Sequence, residues 1–304
     1  MKFFLKGKAG LAALAGLLVL LLGAWLLWLY FSPGPQGFDS QRAFQDAAYQ
    51  MSLGPRIPAS SEHEQARQWM TGELQHAGWE VSEQDAVSMG HPVQNIVAKR
   101  GKGAPWIILA AHYDSRLKSD QEKDPALIDT PVPGADDGAS GVAVLLELAR
   151  ALPSNLDREV WLVFIDAEDQ GDFPGWDWVL GSRVFAGSLT TYPQAVVVVD
   201  MVGDRDLNIY YEKNSNQAIM AEIWQVAAQN GFSRQFIPSF KWSMEDDHTP
   251  FLQKGIAAAD IIDFDYPYWH TTSDTLDKIS PASLNVVGTT LYQWILKTRG
   301  NWQK

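Results

Sequence analysis

Apolar positions follow two alternating patterns along the chain from residue 38 onward. Short, nearly unbroken apolar runs are typical of buried strands, and between them lie longer stretches whose apolar residues recur every three or four positions, as on one face of a helix. The runs that predict strands are 79–87, 94–99, 106–111, 160–165, 195–199 and 256–262, and the stretches that predict helices are 38–51, 60–77, 142–152, 218–228 and 281–297. This alternation predicts an α/β fold with a mixed, largely parallel sheet and helices on both of its faces.

The first 31 residues have a different pattern. Three lysines within residues 1–8 are followed by an uncharged apolar stretch at 9–31, and its ~23 residues are enough to cross a hydrocarbon core. A cleaved signal peptide would usually have a shorter apolar core followed by small residues. The pattern therefore favours a basic flank, a transmembrane signal anchor and a short tether at 32–37. By the positive-inside rule the lysines stay in the cytoplasm, and residues 38–304 form a single domain on the extracytoplasmic side.

Charge and cysteine content narrow the possible partners. The chain has 24 basic and 36 acidic residues, a formal net charge of −12. Nucleic-acid binding depends on lysines and arginines that neutralise phosphates, so this excess of negative charge argues against nucleic acid and against anionic lipid headgroups. The chain contains no cysteine, which excludes disulfides, a thiolate nucleophile and a cysteine zinc site.

Imidazole and carboxylate side chains stand at the ends of predicted strands and in loops beside predicted helices: His112, Asp114, Asp136, Asp137, Glu168, Asp169, Asp200 and His270. In open α/β sheets the carboxyl ends of the strands are where ligands bind. Nitrogen and oxygen donors of this kind suit Zn²⁺. No histidine pair has the close spacing of an HExxH helix, so the sequence predicts a zinc site assembled from separate strand ends. By contrast, His63, His76 and His91 are interpreted as ordinary surface residues.

Taken in order, these residues resemble the site of the co-catalytic zinc aminopeptidases of the bacterial leucyl aminopeptidase type. Within that superfamily the chain is more similar to the glutaminyl cyclases, or glutaminyl-peptide cyclotransferases, of animals and bacteria. The resemblance extends from about residue 38 to the C-terminus. The stretches that carry it are AHYDS at 111–115, GADDGASG at 134–141, LELARAL at 146–152, LGSR at 180–183, DDHTPFL at 246–252 and WHT at 269–271.

The resemblance implies a set of metal ligands. The ligands implied for the zinc that both groups share are Asp137, Asp169 and His270. In the aminopeptidases a second zinc would add His112 and Asp200, with Asp137 as the bridging ligand, and Asp114 would orient His112. Cyclases generally work with one zinc. The resemblance therefore implies one ion for a cyclase and two for an aminopeptidase.

Asp246 separates the two groups of enzymes. Aminopeptidases usually have a small neutral residue at this position, whereas cyclases carry an aspartate that joins the general base and the residue matching Asp200 in a hydrogen-bonded acidic network. The resemblance implies Glu168 as that base. Close carboxylates that share a proton suit proton transfer near neutral pH, so the sequence favours a cyclase.

Two positions depart from the pattern of the family. Asp169 stands where both groups have glutamate, so its carboxylate is one methylene shorter. Asp260 stands where animal cyclases place a histidine that lines the pocket, which affects the expected substrate preference more than the reaction. Trp176 and Trp269 are expected in the pocket wall together with Asp260.

Three functions follow from these observations. A zinc-dependent cyclase would convert the N-terminal glutamine of a peptide or protein to pyroglutamate with release of ammonia. A zinc aminopeptidase would instead hydrolyse the first peptide bond at the N-terminus. A membrane-anchored binding module on the same fold is the third alternative, but decay of the site should have removed ligands or the base, and all of these residues are present.

Overall fold

The computed structural model describes residues 37–300 and 302, together with Leu17 and Leu21. Apart from these two leucines, the predicted basic flank and signal anchor lie outside the described residues, as does the tether before Gly37. Within the part of the chain that is described, none of the helices combines the length and the apolar character that a membrane span requires.

The domain from Gly37 onward alternates helices and strands largely as the periodicity predicts. Its helices are α1 (Ser40–Leu53), α2 (Ser61–His76), α3 (Ala139–Ala151), α4 (Leu180–Ser188), α5 (Gln217–Gln229), α6 (Thr249–Gln253) and α7 (Pro281–Lys297). Its strands are β1 (Glu80–Ser88), β2 (His91–Arg100), β3 (Pro105–His112), β4 (Glu159–Ile165), β5 (Ala195–Asp200), β6 (Ile209–Tyr211), β7 (Phe236–Phe240) and β8 (Ala258–Ile262). A side chain caps each of the first two helices, because Asp39 accepts the backbone N–H of Gln41 and Ser60 accepts that of His63.

Six strands form one mixed sheet in the order β1-β2-β4-β3-β5-β8. The neighbouring pairs among β4, β3, β5 and β8 are parallel, whereas β1 and β2 join antiparallel at one edge. The prediction of a mixed, largely parallel sheet is therefore confirmed. The parallel arrangement brings the carboxyl ends of four consecutive strands to one edge, where ligands bind in such sheets.

Helices cover both faces of this sheet. On one face, Leu109 and Val197 pack in a core that also contains residues of α1, α3 and α7. On the other face, Ile108 and Val198 pack with residues of α4 and α6. Every residue from Ala139 to Ala149 in α3 is buried, so the start of this helix is held firmly above the sheet.

Four short elements were not predicted from the sequence: α4, β6, β7 and α6. Val179, the residue before helix α4, has a φ of 55° in the left-handed region, and no side chain caps the helix. Without a Ser, Thr, Asp or Asn cap the usual signal for a helix start is missing. Strands β6 and β7 have three and five residues and pair only with each other, too short for a clear two-residue alternation.

Candidate metal centre

The ends of the parallel strands bring the predicted ligands together. His112 is the last residue of β3 and Asp200 the last of β5, while Asp169 follows β4 by four positions. Asp137 reaches the site from the turn before α3. The turn depends on Gly138, which has a φ of 99°, and the first turn of α3 depends on Gly141, where a Cβ would lie 2.1 Å from the carbonyl oxygen of Val199.

The side chains form two groups that share Asp137. In the first, His112 Nε2 lies 3.2 Å from Asp137 Oδ1 and 3.1 Å from Asp200 Oδ1. In the second, His270 Nε2 lies 3.0 Å from Asp169 Oδ1 and 3.6 Å from Asp137 Oδ2. One oxygen of Asp137 thus faces each group, as in a bridging carboxylate.

These residues fit zinc by donor type, burial and charge. All five are buried, and Asp137 Oδ2 and Asp169 Oδ2 accept no hydrogen bond among the described residues. Burial, with the charge of Asp137, raises the pKa of Asp169 to about 6, and burial raises that of Asp200 to about 7. Carboxylates in such surroundings need a compensating positive charge, and imidazole with carboxylate is a zinc donor set.

A cavity of about 240 Å³ opens above these groups. The predicted base Glu168 lines it together with Asp200 and Asp246. Burial raises the pKa of Glu168 well above its usual range, and the charges of Asp169 and Asp246 act in the same direction. The three acidic side chains that were predicted to form one network therefore line the same cavity.

Of the three residues predicted for the pocket wall, Trp269 lines the cavity, whereas Trp176 and Asp260 do not. Trp269 lines the cavity and stacks on His270 at 3.7 Å between ring centroids. Trp176 lies outside the cavity lining and stacks on His91 at 3.5 Å, whereas Trp178, two residues later, lines the cavity. Asp260 is fully buried in β8, on the same face of the strand as the cavity-lining Ile262 but two residues farther from the strand end, so it lies below the cavity lining.

Comparisons with known proteins agree with this geometry. Residues 95–295 match the sequence profile of peptidase family M28. The chain belongs to this family. The glutaminyl-peptide cyclotransferase of Boiga irregularis is 26% identical over 290 residues, 80% of this chain and 77% of that protein.

Solved structures resemble this M28 protein along almost their whole length. The glutaminyl cyclase of Porphyromonas gingivalis has a TM-score of 0.81 and 31% identity, covering 86% of this chain and 99% of that one. A Zn-dependent exopeptidase from Parabacteroides distasonis has a TM-score of 0.82 and 29% identity, with the same coverage. The resemblance to glutaminyl cyclases within the zinc aminopeptidase superfamily is thereby confirmed, and the zinc dependence of the Parabacteroides distasonis exopeptidase agrees with the donor set of the site.

In this M28 site, Asp114 lies close to His112 and also contacts the turn that carries the predicted base Glu168. Its Oδ1 lies 3.6 Å from His112 Nδ1, which is longer than a normal hydrogen bond. It faces the ring nitrogen opposite Nε2, as expected of a residue that orients His112. The same carboxylate accepts the backbone N–H groups of Glu168 at 3.1 Å and of Asp169 at 3.3 Å. Asp114 therefore also holds the turn that presents the base and one ligand.

Asp120 was not predicted as a site residue from the sequence. Its Oδ1 lies 3.1 Å from His270 Nδ1, and Arg116 donates to both of its oxygens at 2.9 and 2.8 Å. Arg116 also donates to the backbone oxygen of Asp169 at 3.0 Å. Although burial opposes it, His270 and Arg116 lower the pKa of Asp120, so an ionised carboxylate faces the ring and directs Nε2 towards the metal position.

We expect Asp120→Asn to weaken zinc binding by about 10–100-fold, because carboxylates that orient a ligating histidine have effects of this size. Zinc affinity would be measured by competition with a chelator. Asp124→Asn is the matched control, since Asp124 is an exposed aspartate of the same loop. Equal zinc affinity in both variants would show that Asp120 only anchors the loop.

Asp274 is a second residue that the sequence did not reveal. Its carboxylate accepts the backbone N–H groups of Asp136 at 2.9 Å and of Asp137 at 3.2 Å, and the hydroxyl of Tyr266 donates to it at 2.6 Å. It lies four residues after His270, so one loop carries a ligand and also clamps the turn that carries Asp137.

His63 is also placed differently from its interpretation as a surface residue. It is 1% exposed, and its Nε2 lies 2.7 Å from Asp166 Oδ1. The polar neighbours of His63 in α2 had suggested an exposed position, but this side of the helix faces the sheet.

Proposed function

We propose that this M28 protein is a zinc-dependent glutaminyl-peptide cyclotransferase, which converts an N-terminal glutamine to pyroglutamate and releases ammonia. The observation that carries the proposal is the position of Asp246. It is 5% exposed and lines the same cavity as Glu168 and Asp200, a placement that supports the acidic network expected of a cyclase. The named relatives and solved glutaminyl cyclases support the same activity.

In this reaction the α-amine of the substrate attacks the carbon of its own side-chain amide, the C–N bond to the amide nitrogen breaks, and ammonia leaves. Zinc bound by Asp137, Asp169 and His270 would polarise the amide carbonyl. Glu168 takes a proton from the amine and delivers it to the leaving nitrogen. Asp246 and Asp200 stabilise the proton on this network, and Trp178 and Trp269 narrow the cavity around the glutamine side chain.

The aminopeptidase activity is the second candidate, because one observation favours it. The group formed by His112, Asp137 and Asp200 is intact and compact, so the chain can hold a second zinc ion. In an aminopeptidase, Glu168 would activate water for attack on the first peptide bond.

For the cyclase, we propose one catalytic zinc ion, in the group that contains His270.

We also propose that the catalytic domain lies on the extracytoplasmic side of a membrane, with residues 9–31 as its anchor. The apolar, uncharged character of this stretch and the lysines before it support this location. Peptide and protein N-termini outside the cytoplasm would then be its substrates.

One experiment separates the candidate functions. The full chain, loaded with zinc, would be incubated with one peptide that begins with glutamine and one that begins with leucine, and the products would be analysed by mass spectrometry. We expect loss of ammonia from the glutamine peptide at unchanged length, above the spontaneous rate without enzyme. Release of a free N-terminal residue from either peptide would instead establish the aminopeptidase.

A further inference from the structure

A third buried group of potential metal ligands lies beside the cavity. Asp246, His248 and Asp260 each offer one ligand atom, and these atoms lie within 4.8 Å of one another. His248 and Asp260 have no exposed surface. None of the three belongs to the two groups that share Asp137.

Several atoms of this third group lack partners in the region that the structure describes. Both ring nitrogens of His248 and both carboxylate oxygens of Asp260 form no hydrogen bond there. Leaving a buried polar atom unpaired costs about 1–3 kcal/mol, and more if it is charged. Four such atoms in one place indicate that something outside the chain satisfies them.

Glu212 places a carboxylate behind His248. Its carboxylate accepts the backbone N–H of Ser215 at 2.7 Å and that of Met244 at 3.0 Å. Burial raises the pKa of Glu212, but His248 and the backbone N–H groups of Asn214 and Met244 outweigh it and lower the value to about 2. His248 Nε2 lies 3.3 Å from this ionised carboxylate, and Nδ1, on the other side of the ring, lies 3.9 Å from Asp260 Oδ2. A carboxylate behind a histidine in this way is the usual support of a metal ligand.

The charges around Asp260 are all of one sign. Burial raises its pKa well above the usual range, and the charges of Asp246, Asp200 and Glu212 add to this effect. Among the described residues, no lysine or arginine pairs with Asp246, His248 or Asp260. A buried cluster of carboxylates without a cation is strongly unfavourable, and a divalent ion would offset it.

We propose that Asp246, His248 and Asp260 bind a divalent metal ion of the zinc class, separate from the catalytic ion. One imidazole nitrogen and two carboxylate oxygens form a donor set that zinc accepts. His248 Nδ1 and Asp260 Oδ2 lie 3.9 Å apart, far enough for an ion to bind between them at about 2.0–2.2 Å from each. This ion would hold the carboxylate of Asp246 in place beside the cavity, so Asp260 is a positioning residue and not part of the substrate pocket.

The test is the number of zinc ions per chain in matched variants of the full chain. Each protein would be equilibrated with buffered free zinc, freed of unbound metal and analysed by inductively coupled plasma mass spectrometry. We expect Asp137→Asn, which removes the shared ligand of the catalytic groups, to keep one ion. We expect Asp260→Asn to hold one ion fewer than the wild type, and the double variant to hold none.

Asp263→Asn is the matched control, because Asp263 is another fully buried aspartate just after β8 and belongs to none of the three groups. It should keep the zinc content of the wild type. Two results would overturn the proposal: an Asp137→Asn protein without zinc, or a folded Asp260→Asn protein with the wild-type zinc content. Either would mean that a shared proton, not a metal ion, satisfies these carboxylates. If Asp260→Asn fails to fold, the zinc content of Asp137→Asn alone decides.

Discussion

Glu168→Gln should lower kcat for the glutamine peptide by about 10²–10⁴-fold, the usual contribution of a general base. Glutamine has the shape of glutamate but cannot take the proton from the substrate amine. KM should change little, because Glu168 belongs to neither ligand group and the walls of the cavity remain. Steady-state release of ammonia would provide both constants.

Glu245→Gln is the control for this variant. Glu245 lines the same cavity but is more exposed, and it pairs with Arg183 at 3.1 Å. It should keep nearly wild-type kcat, and both variants should keep the wild-type zinc content. A Glu168→Gln protein that retains zinc and more than about a tenth of the wild-type kcat would show that another group moves the proton, since a tenfold loss lies below the range expected for a general base.

The residues at the strand ends could be predicted because two local signals coincide there. Periodicity located β3, β4 and β5, and the side chains that follow them are of ligand type. The parallel sheet then requires these ends to meet, whatever the loops do. His112, Asp169 and Asp200 were therefore found without knowledge of any loop.

The residues that orient the ligands could not be found in this way. Asp120 and Asp274 lie in loops, where no periodicity gives the direction of a side chain. The position of Asp120 depends on contacts distant in sequence, such as the hydrogen bond from the N–H of Gln121 to the carbonyl of His270 at 3.2 Å. An aspartate with such a role looks the same in the sequence as one that faces solvent.

Asp260 lies outside the cavity lining for a different reason. Its prediction as a pocket residue rested on resemblance, which gives a position in the chain but not the depth of the side chain along the strand. The register of β8 against β5 pairs Asp260 with Val198, a residue of the core beneath the sheet. Asp260 and Ile262 share a face of β8, and only the position of the strand end shows that Ile262 reaches the cavity while Asp260 stays two residues below it.

Asp137→Asn should abolish zinc-dependent activity, because Asp137 is the only residue common to both catalytic groups among the residues described. An amide is neutral and cannot bridge two ligand groups as a carboxylate does. Zinc at about 100 times the Kd of the catalytic site should stabilise the wild type by about 2.7 kcal/mol through that site, a contribution that the variant loses. The increase in Tm on addition of zinc measures this difference.

Asp136→Asn tests whether the loss of zinc binding and activity in Asp137→Asn comes from removing a ligand or from disturbing the turn before α3. Asp136 is the neighbouring residue, is equally buried, and accepts the N–H of Gly203 at 2.6 Å through Oδ1, a bond that the oxygen of asparagine can keep. This variant should show the zinc-dependent increase in Tm and the ammonia release of the wild type. If both variants lose them equally, the turn before α3 has been disturbed as a whole, and the loss in Asp137→Asn would not identify a ligand.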